Sequence, residues 1–530
     1  NGYSITISPA TSTIKNIQAN NICTNSILLN KAKNILIDGS YNGTGKFLKF
    51  KQTFSPYGDT MTNIKMFNSC DTIILKNLLF EDISTHHGGS EYSVLLSGGN
   101  NKNIVIANNL FTSTSNLQMA ECYIASNHGD NRALIRGNEF NNFLQYGILI
   151  SSPCDNWIID SNHFYKSIIS TEYVLNVSAV SVKGGGHQII NNYIGGSEPF
   201  CAGTPYKYLD FLPYSFAGIQ AQSPGGSSHC IISNNRIDNI IFATASNNSN
   251  NLFAGIQTID NKSVIKDNII GNTGGVLQNI SVVTSYIYGI ASWGTGPVEI
   301  KNNIVSGLKN NVGQSYGASS LSGIYRANNQ NGNPIFADSA IITGNTIFNL
   351  YNSRNTNSTQ SDVGYTVGII TRGGLYNRVE KNTVHSVSVT EGSVTGIAFY
   401  DGQGGIPSIL QKNRIYNIVN NDNSVSSCCD DDFYNGVING IAVTGEGSGL
   451  DIINNQVSIT NNNISNPVSI RGIYEGHYMN IPPPLQKQRV LYNSIYIGGT
   501  ASQNGGSGCF VTLSQKVKEI YNNLFYNDRI

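Results

Sequence analysis

An asparagine returns thirteen times between residues 109 and 523 in the same setting, with an apolar strand running into it and another leaving it. Examples are IVIANNLF (104–111), IISNNRIDNI (231–240), VEIKNNIV (298–305) and IITGNTIF (341–348). The recurring residues are Asn109, Asn138, Asn162, Asn192, Asn235, Asn268, Asn303, Asn345, Asn382, Asn413, Asn455, Asn493 and Asn523, at intervals of 24 to 43 residues. Intervals of that size belong to solenoids, whose repeats bury a face only by stacking on their neighbours.

A second block alternates with the first. It is a strand carrying Gly-Ile: YGILI (146–150), FAGIQ (216–220 and 253–257), YGIAS (288–292), SGIYR (322–326), VGIIT (367–371), TGIAF (395–399), NGIAV (439–443) and RGIYE (471–475). The path between blocks is short at Gly368 to Asn382. It is long at Gly323 to Asn345 and Gly472 to Asn493, where insertions such as EGHYMNIPPP fall. A fixed frame with variable loops is therefore expected.

A parallel β-helix accounts for this pattern. Each coil supplies short strands to long parallel sheets, joined by sharp turns. A turn residue with φ > 0 is easiest for Gly and next easiest for Asn. Asparagines at equivalent turns can hydrogen-bond the coils above and below, which satisfies polar groups beside the core. The flanking Ile, Val, Leu and Phe then point inward. A propeller would show a steadier period and four strands per blade, and leucine-rich repeats would show leucine ladders. The expected fold is all-β: a right-handed parallel β-helix solenoid with Asn ladders and variable loop insertions, the hand following the usual crossover preference. One solenoid domain over 1–530 is expected, with N-terminal coils in 1–100 and asparagine-block coils in 101–530.

Composition narrows function more than fold. Only 12% of the 530 residues are charged, and Lys+Arg and Asp+Glu are equal at 32 each. A neutral chain lacks the basic face of a nucleic-acid binder and the charge for electrostatic attachment to a membrane. No apolar run reaches membrane-spanning length, so no membrane insertion is expected. The nine Cys are sparse, and their spacing shows no disulfide framework. Strand-like sequence at both ends would leave sheet edges open. We therefore expect caps outside these residues, or ends that meet further copies or other surface proteins.

The asparagine ladders and Gly-Ile strands resemble the pectin-lyase-like, right-handed parallel β-helix superfamily over essentially the whole chain. The opening ITISPATSTI…NILIDGSYNGTG (5–45) is similar to long secreted surface β-helix proteins of Bacteroidota. The resemblance implies an extracellular or cell-surface location. It implies little about activity, because this fold hosts lyases, hydrolases, tailspikes, adhesins and filaments.

Residues with catalytic or ligand chemistry are few. The stretch AECYIASNHGDNR brings His128, Asp130 and Arg132 together as base, acid and cation, a candidate catalytic cluster; a polar turn is the plainer reading. In the same stretch Cys122 lies about one coil before Cys154, close enough for a bridge or a stacked thiol pair. THHGGSE offers His86, His87 and Glu91 in a loop. Asp430, Asp431 and Asp432 form the densest acidic run and are the candidate Ca²⁺ ligands, since Ca²⁺ prefers oxygen. No other cofactor is expected. Tyr206, Tyr208 and Tyr214 crowd the insertion PFCAGTPYKYLDFLPYSF as candidate sugar-stacking residues, although an insertion that buries its own aromatics explains them equally. Arg326, Arg372 and Arg471 flank Gly-Ile strands at differing offsets, which reads as solvation of an exposed sheet face rather than a continuous basic line. No cluster recurs from coil to coil. The expectation is a non-enzymatic extracellular adhesin or filament-forming β-helix, with glycans among its partners. The alternative is a polysaccharide lyase or glycoside hydrolase.

Overall fold

A computed structural model describes residues 4–18, 24–52, 61–82, 91–114, 119–169, 176–208, 215–223, 228–242, 251–259, 262–271, 277–279, 285–294, 296–312, 320–327, 339–354, 365–400, 407–421, 436–444, 449–461, 468–476, 487–500, 505–513 and 518–530. Among them the chain is a parallel β-helix, and it divides into two compact units, Asn1–Ala243 and Thr244–Ile530. Among the described residues no helix is long and apolar enough to cross a membrane.

The coils supply strands to three sheets where the sequence suggests two blocks, and in some coils the trailing part is split into two short strands, as at Ile304–Ser306 and Leu308–Val312. The Gly-Ile block is one strand. The asparagine block is two, a leading strand before the asparagine and a trailing strand after it, such as Val298–Lys301 and Ile304–Ser306. Like pairs with like in parallel from coil to coil. In the second unit Ile300 aligns with Ile342 and then Val379 on the leading sheet. Val305 aligns with Ile347 and then Val384 on the trailing sheet. Ile290, Ile324, Ile369 and Ile397 line up on the Gly-Ile sheet. These aliphatic ladders are fully buried. In the first unit the trailing sheet stacks rings instead. Phe50, Phe80, Phe111, Phe140 and Phe164 follow one another with centroids 4.6 to 5.2 Å apart. Such ring pairs add about 0.5–1.5 kcal/mol each beyond simple burial.

The asparagines stand in register, and their bonding explains why they recur. Asn109 donates from its backbone N and from its amide to Asn138 Oδ1, both at 3.0 Å, and its amide also reaches Leu75 O in the preceding coil. Asn138, Asn162, Asn192 and Asn235 continue the pattern in the first unit. Asn268 to Asn523 repeat it in the second. An interior ladder asparagine thus uses both amide hydrogens and loads its oxygen twice.

The positive φ of the turn belongs to a different residue. It falls on the position before each ladder asparagine: Asn108, Gly137, Ser161, Asn191, Asn234, Asp267, Asn302, Gly344, Lys381, Lys412, Asn454, Tyr492 and Asn522. Lysine and tyrosine occur there, so left-handed backbone alone does not dictate the residue. The invariant asparagine is kept by its hydrogen bonds, not by the turn geometry that the sequence pattern suggested.

Candidate functional site

A Gly-Ile strand bends at its glycine, so that the glycine and the following isoleucine both face the core. A Cβ on Gly289 would lie 2.3 Å from Val305 Cγ1. From there the chain alternates. Residues two and four beyond the glycine face outward, and residue three faces the core side. The outward positions in the second unit carry rings and guanidinium groups. Trp293, Ala327, Arg372, Tyr400 and Thr444 form one column, and Ala291, Tyr325, Ile370, Ala398, Ala442 and Tyr474 form another. Tyr286, Ser320, Tyr365 and Ser393 form a third.

Large and small residues alternate in the third column and are interspersed in the other two, so rings lean into neighbouring columns. Tyr288 lies 4.7 Å from Tyr325, and Trp293 meets Tyr288 edge-on at 5.9 Å. The Arg372 guanidinium carbon sits 4.5 Å from the Tyr400 ring centre, within cation–π range. One coil pair further on, Arg471 lies 4.1 Å from the Tyr474 ring. Tyr286, Tyr365, Arg372 and Tyr400 are half-buried, whereas Tyr288, Trp293 and Tyr325 are buried.

Electrostatics assign roles. Burial lifts the pKa values of Tyr288, Tyr325 and Tyr365 above the ordinary phenol value. These rings stay protonated and uncharged at neutral pH. Burial alone would weaken the Arg372 charge. Arginine is charged at neutral pH in any case; its pKa is raised further because Tyr400, Tyr325 and Tyr365 are anions at the alkaline pH where it titrates, and because it hydrogen-bonds Tyr400. The result is a fixed cation framed by neutral aromatic hydroxyls. Such a frame suits a carboxylate or sulfate carried on a ring.

The candidates from sequence fall elsewhere. Asp130 is fully buried. Its Oδ1 accepts from Asn101 N (2.9 Å) and Asn101 Nδ2 (2.8 Å), and its Oδ2 accepts from Ser126 Oγ at 2.7 Å. His128 and Arg132 are exposed, and His128 Nδ1 lies 2.6 Å from Asn127 Oδ1. Tyr206 is buried against Phe143 and Phe216 at 6.3 and 6.2 Å, which is the self-burying arrangement of that insertion. Tyr214 and Asp430, Asp431 and Asp432 lie outside the described residues, as do His86, His87 and the Tyr208 side chain; Glu91 is buried. Among the described residues no group of three His, Cys, Asp or Glu could hold a metal. Cys122 and Cys154 are both free and buried, so no bridge joins them.

The arginine reading needs correction. Arg326 does not solvate a sheet face. It lies three residues beyond its glycine, is buried on the core side, and donates to Ala327 O and Gly296 O at 3.0 Å. Arg372 lies four beyond its glycine and faces outward. One residue of offset reverses the side of a strand. Counting from each glycine would have separated these arginines in the sequence.

No protein-family model matches the chain, and no curated protein matches it. Two solved structures align over most of its length. One is a single mutant of the periplasmic alginate epimerase AlgG, 12% identical, with TM-score 0.31, covering 89% of this chain and 78% of that one. The other is a double mutant of the same protein, 11% identical, with TM-score 0.30, covering 94% and 77%. Likeness at this level concerns fold alone, and no residue or reaction is carried over from it.

Proposed function

We propose that this chain is a non-catalytic, extracellular β-helix adhesin that binds an acidic glycan along the outward face of the Gly-Ile sheet in residues 244–530. The observation that carries this reading is the half-buried Arg372 guanidinium set 4.5 Å from the Tyr400 ring on the outward face of the sheet. Guanidinium supplies paired donors for a sugar carboxylate or sulfate, and the half-buried Tyr365 and Tyr400 rings supply stacking area. Proton abstraction or bond cleavage needs a base or a carboxylate pair poised for it. The phenols of this cluster are pushed away from that role.

The test is calorimetric titration of the full chain with uronate and matched neutral oligosaccharides, with product analysis alongside. Binding of the acidic oligomer should weaken about tenfold or more in Arg372→Ala, the loss of one charge-assisted contact at about 1.4 kcal/mol per decade. No new reducing ends or unsaturated sugars should form. Turnover that disappears in Arg372→Ala or Tyr400→Phe would replace this reading with a polysaccharide lyase or hydrolase.

A further inference from the structure

The trailing sheet of the second unit carries an outward aromatic row with one rung missing. Register aligns Phe348, His385, Tyr416, Ser458, Tyr496 and Tyr526 in a single column. Phe348 stacks on His385 at 5.1 Å, and His385 on Tyr416 at 4.8 Å. Tyr496 stacks on Tyr526 at 5.9 Å. Ser458 stands where the row would need a ring. The gap opens a groove of about 550 Å³ lined by Arg414, Tyr416, Gln456, Ser458, Ser494 and Tyr496, among others.

The dimensions select an occupant. Parallel strands are spaced about 4.8 Å apart, so the rungs of Tyr416 and Tyr496 are roughly 9.5 Å apart. A single ring packed on Tyr496 at a van der Waals contact of about 3.5–4.0 Å leaves the Tyr416 side of that width to a second group. His385 covers one face of Tyr416. The Arg414 guanidinium, 4.8 Å from the same ring, therefore belongs to the groove side. None of the ion pairs among the described residues includes Arg414, whereas Arg378 and Arg489 of the leading sheet pair with Glu380 and Asp451. Burial, and then the charge of Arg414, lower the pKa of His385, so Arg414 is the cation at this end of the groove. Gln456, Ser458 and Ser494 are exposed on the floor and offer hydroxyl and amide partners.

We propose that the groove over Ser458 binds one uronate residue of an acidic polysaccharide, its ring packed on Tyr496 and its carboxylate on Arg414, whose guanidinium covers the groove side of Tyr416. A neutral flat ring would leave the guanidinium unused, and an inorganic anion would leave the Tyr496 wall unused. This site is on a different sheet from the Arg372 cluster and stands independently of it.

The experiment uses the full chain and matched probes: cellouronate hexamer, galacturonate hexamer and neutral cellohexaose, followed by saturation-transfer NMR and calorimetry. It is run in the Arg372→Ala background, so that remaining affinity belongs to the groove. At least one uronate hexamer should bind there, about tenfold or more tighter than cellohexaose, the difference of one guanidinium–carboxylate contact. Ser458→Tyr completes the aromatic row and should abolish that binding while leaving the melting temperature equal or higher. Tyr496→Ala and Arg414→Gln should each weaken it. Absence of uronate binding in the Arg372→Ala background overturns this inference and leaves the Arg372 site standing. Undiminished binding in Ser458→Tyr also overturns it. Binding unchanged by Arg372→Ala but lost in Ser458→Tyr upholds the groove and overturns the Arg372 reading.

Discussion

Asn382 Oδ1 accepts two hydrogen bonds from one residue, Asn345, from its backbone N and from its side-chain amide, both at 2.9 Å. Asn382 in turn donates to Ile342 O at 2.9 Å and to Asn413 Oδ1 at 3.0 Å. All four contacts are buried. Asn382→Ala removes them together and strands two donors with no water to replace the partner. Each orphaned buried group costs about 1–3 kcal/mol, so a total near 3–5 kcal/mol is expected after partial relaxation. Denaturant unfolding measures the total, and hydrogen exchange at the Asn345 amide reports the local opening. Unchanged protection at Asn345 would show that the ladder is ornamental.

Tyr492 tests the division of labour between the two turn positions. It holds φ at 58° with its side chain 57% exposed, and its neighbour Asn493 makes the ladder bonds. A tyrosine there bears the left-handed penalty of about 1–2 kcal/mol, which asparagine largely avoids. Tyr492→Asn should therefore stabilise by about 0.5–1 kcal/mol, read as a rise in melting temperature. Asn493→Tyr should instead destabilise severely, because the hydrogen bonds and not the backbone angle fix that site.

These two positions show how far the sequence can be read. Periodicity and apolar flanks identify the coil, the corner and the core-facing residues, since these follow from local spacing. They do not say which residue of an Asn-Asn pair bends the chain, because both jobs select the same side chain in half of the coils. Lys381, Lys412 and Tyr492 separate the jobs only when compared with their neighbours. Arg326 and Arg372 posed a similar problem, since facing depends on an exact count from the glycine. Ser458 is the most opaque. A missing ring in a column is visible only once Tyr416 and Tyr496, eighty residues apart in sequence, are set two rungs apart by register.

Gly440 marks the bend that aims the outward columns of the Gly-Ile sheet. A Cβ there would stand 2.4 Å from Val457 Cγ1 and 2.6 Å from Gly472 O. The valine can shift, but the carbonyl belongs to the sheet and cannot move alone. Gly440→Ala should cost about 1–3 kcal/mol as an overpacked core. The damage should spread to the Gly-Ile strands of adjacent coils, seen as lost amide protection at Ile397 and Ile473. Gly43, whose added Cβ would meet nothing within 4 Å, controls for backbone entropy once its positive φ is allowed for.

Asp130 occupies a ladder-like position in the first unit, and its charge is the anomaly. Asn101 addresses its Oδ1 through backbone N and side-chain amide, the same grip that one ladder asparagine has on the next. Only an acceptor is needed there, and asparagine provides one without a buried charge. Burial raises the carboxyl pKa, and the bonds from Ser126 and Asn101 offset only part of that. The folded state therefore binds this proton more tightly than the unfolded chain, which releases it near pH 3.9. It follows that the carboxyl's contribution to stability is largest in acid and declines as pH rises from about 4 through the folded value, then levels off. Asp130→Asn abolishes that decline. The stability difference between variant and parent should be smallest below pH 4, turn increasingly in favour of the variant toward neutrality, and plateau there. Taking the difference cancels the titration of other carboxylates, so chemical denaturation of both proteins across this range isolates the one group. A difference independent of pH would mean that Asp130 titrates alike in the folded and unfolded chain, and its burial would then carry no electrostatic consequence.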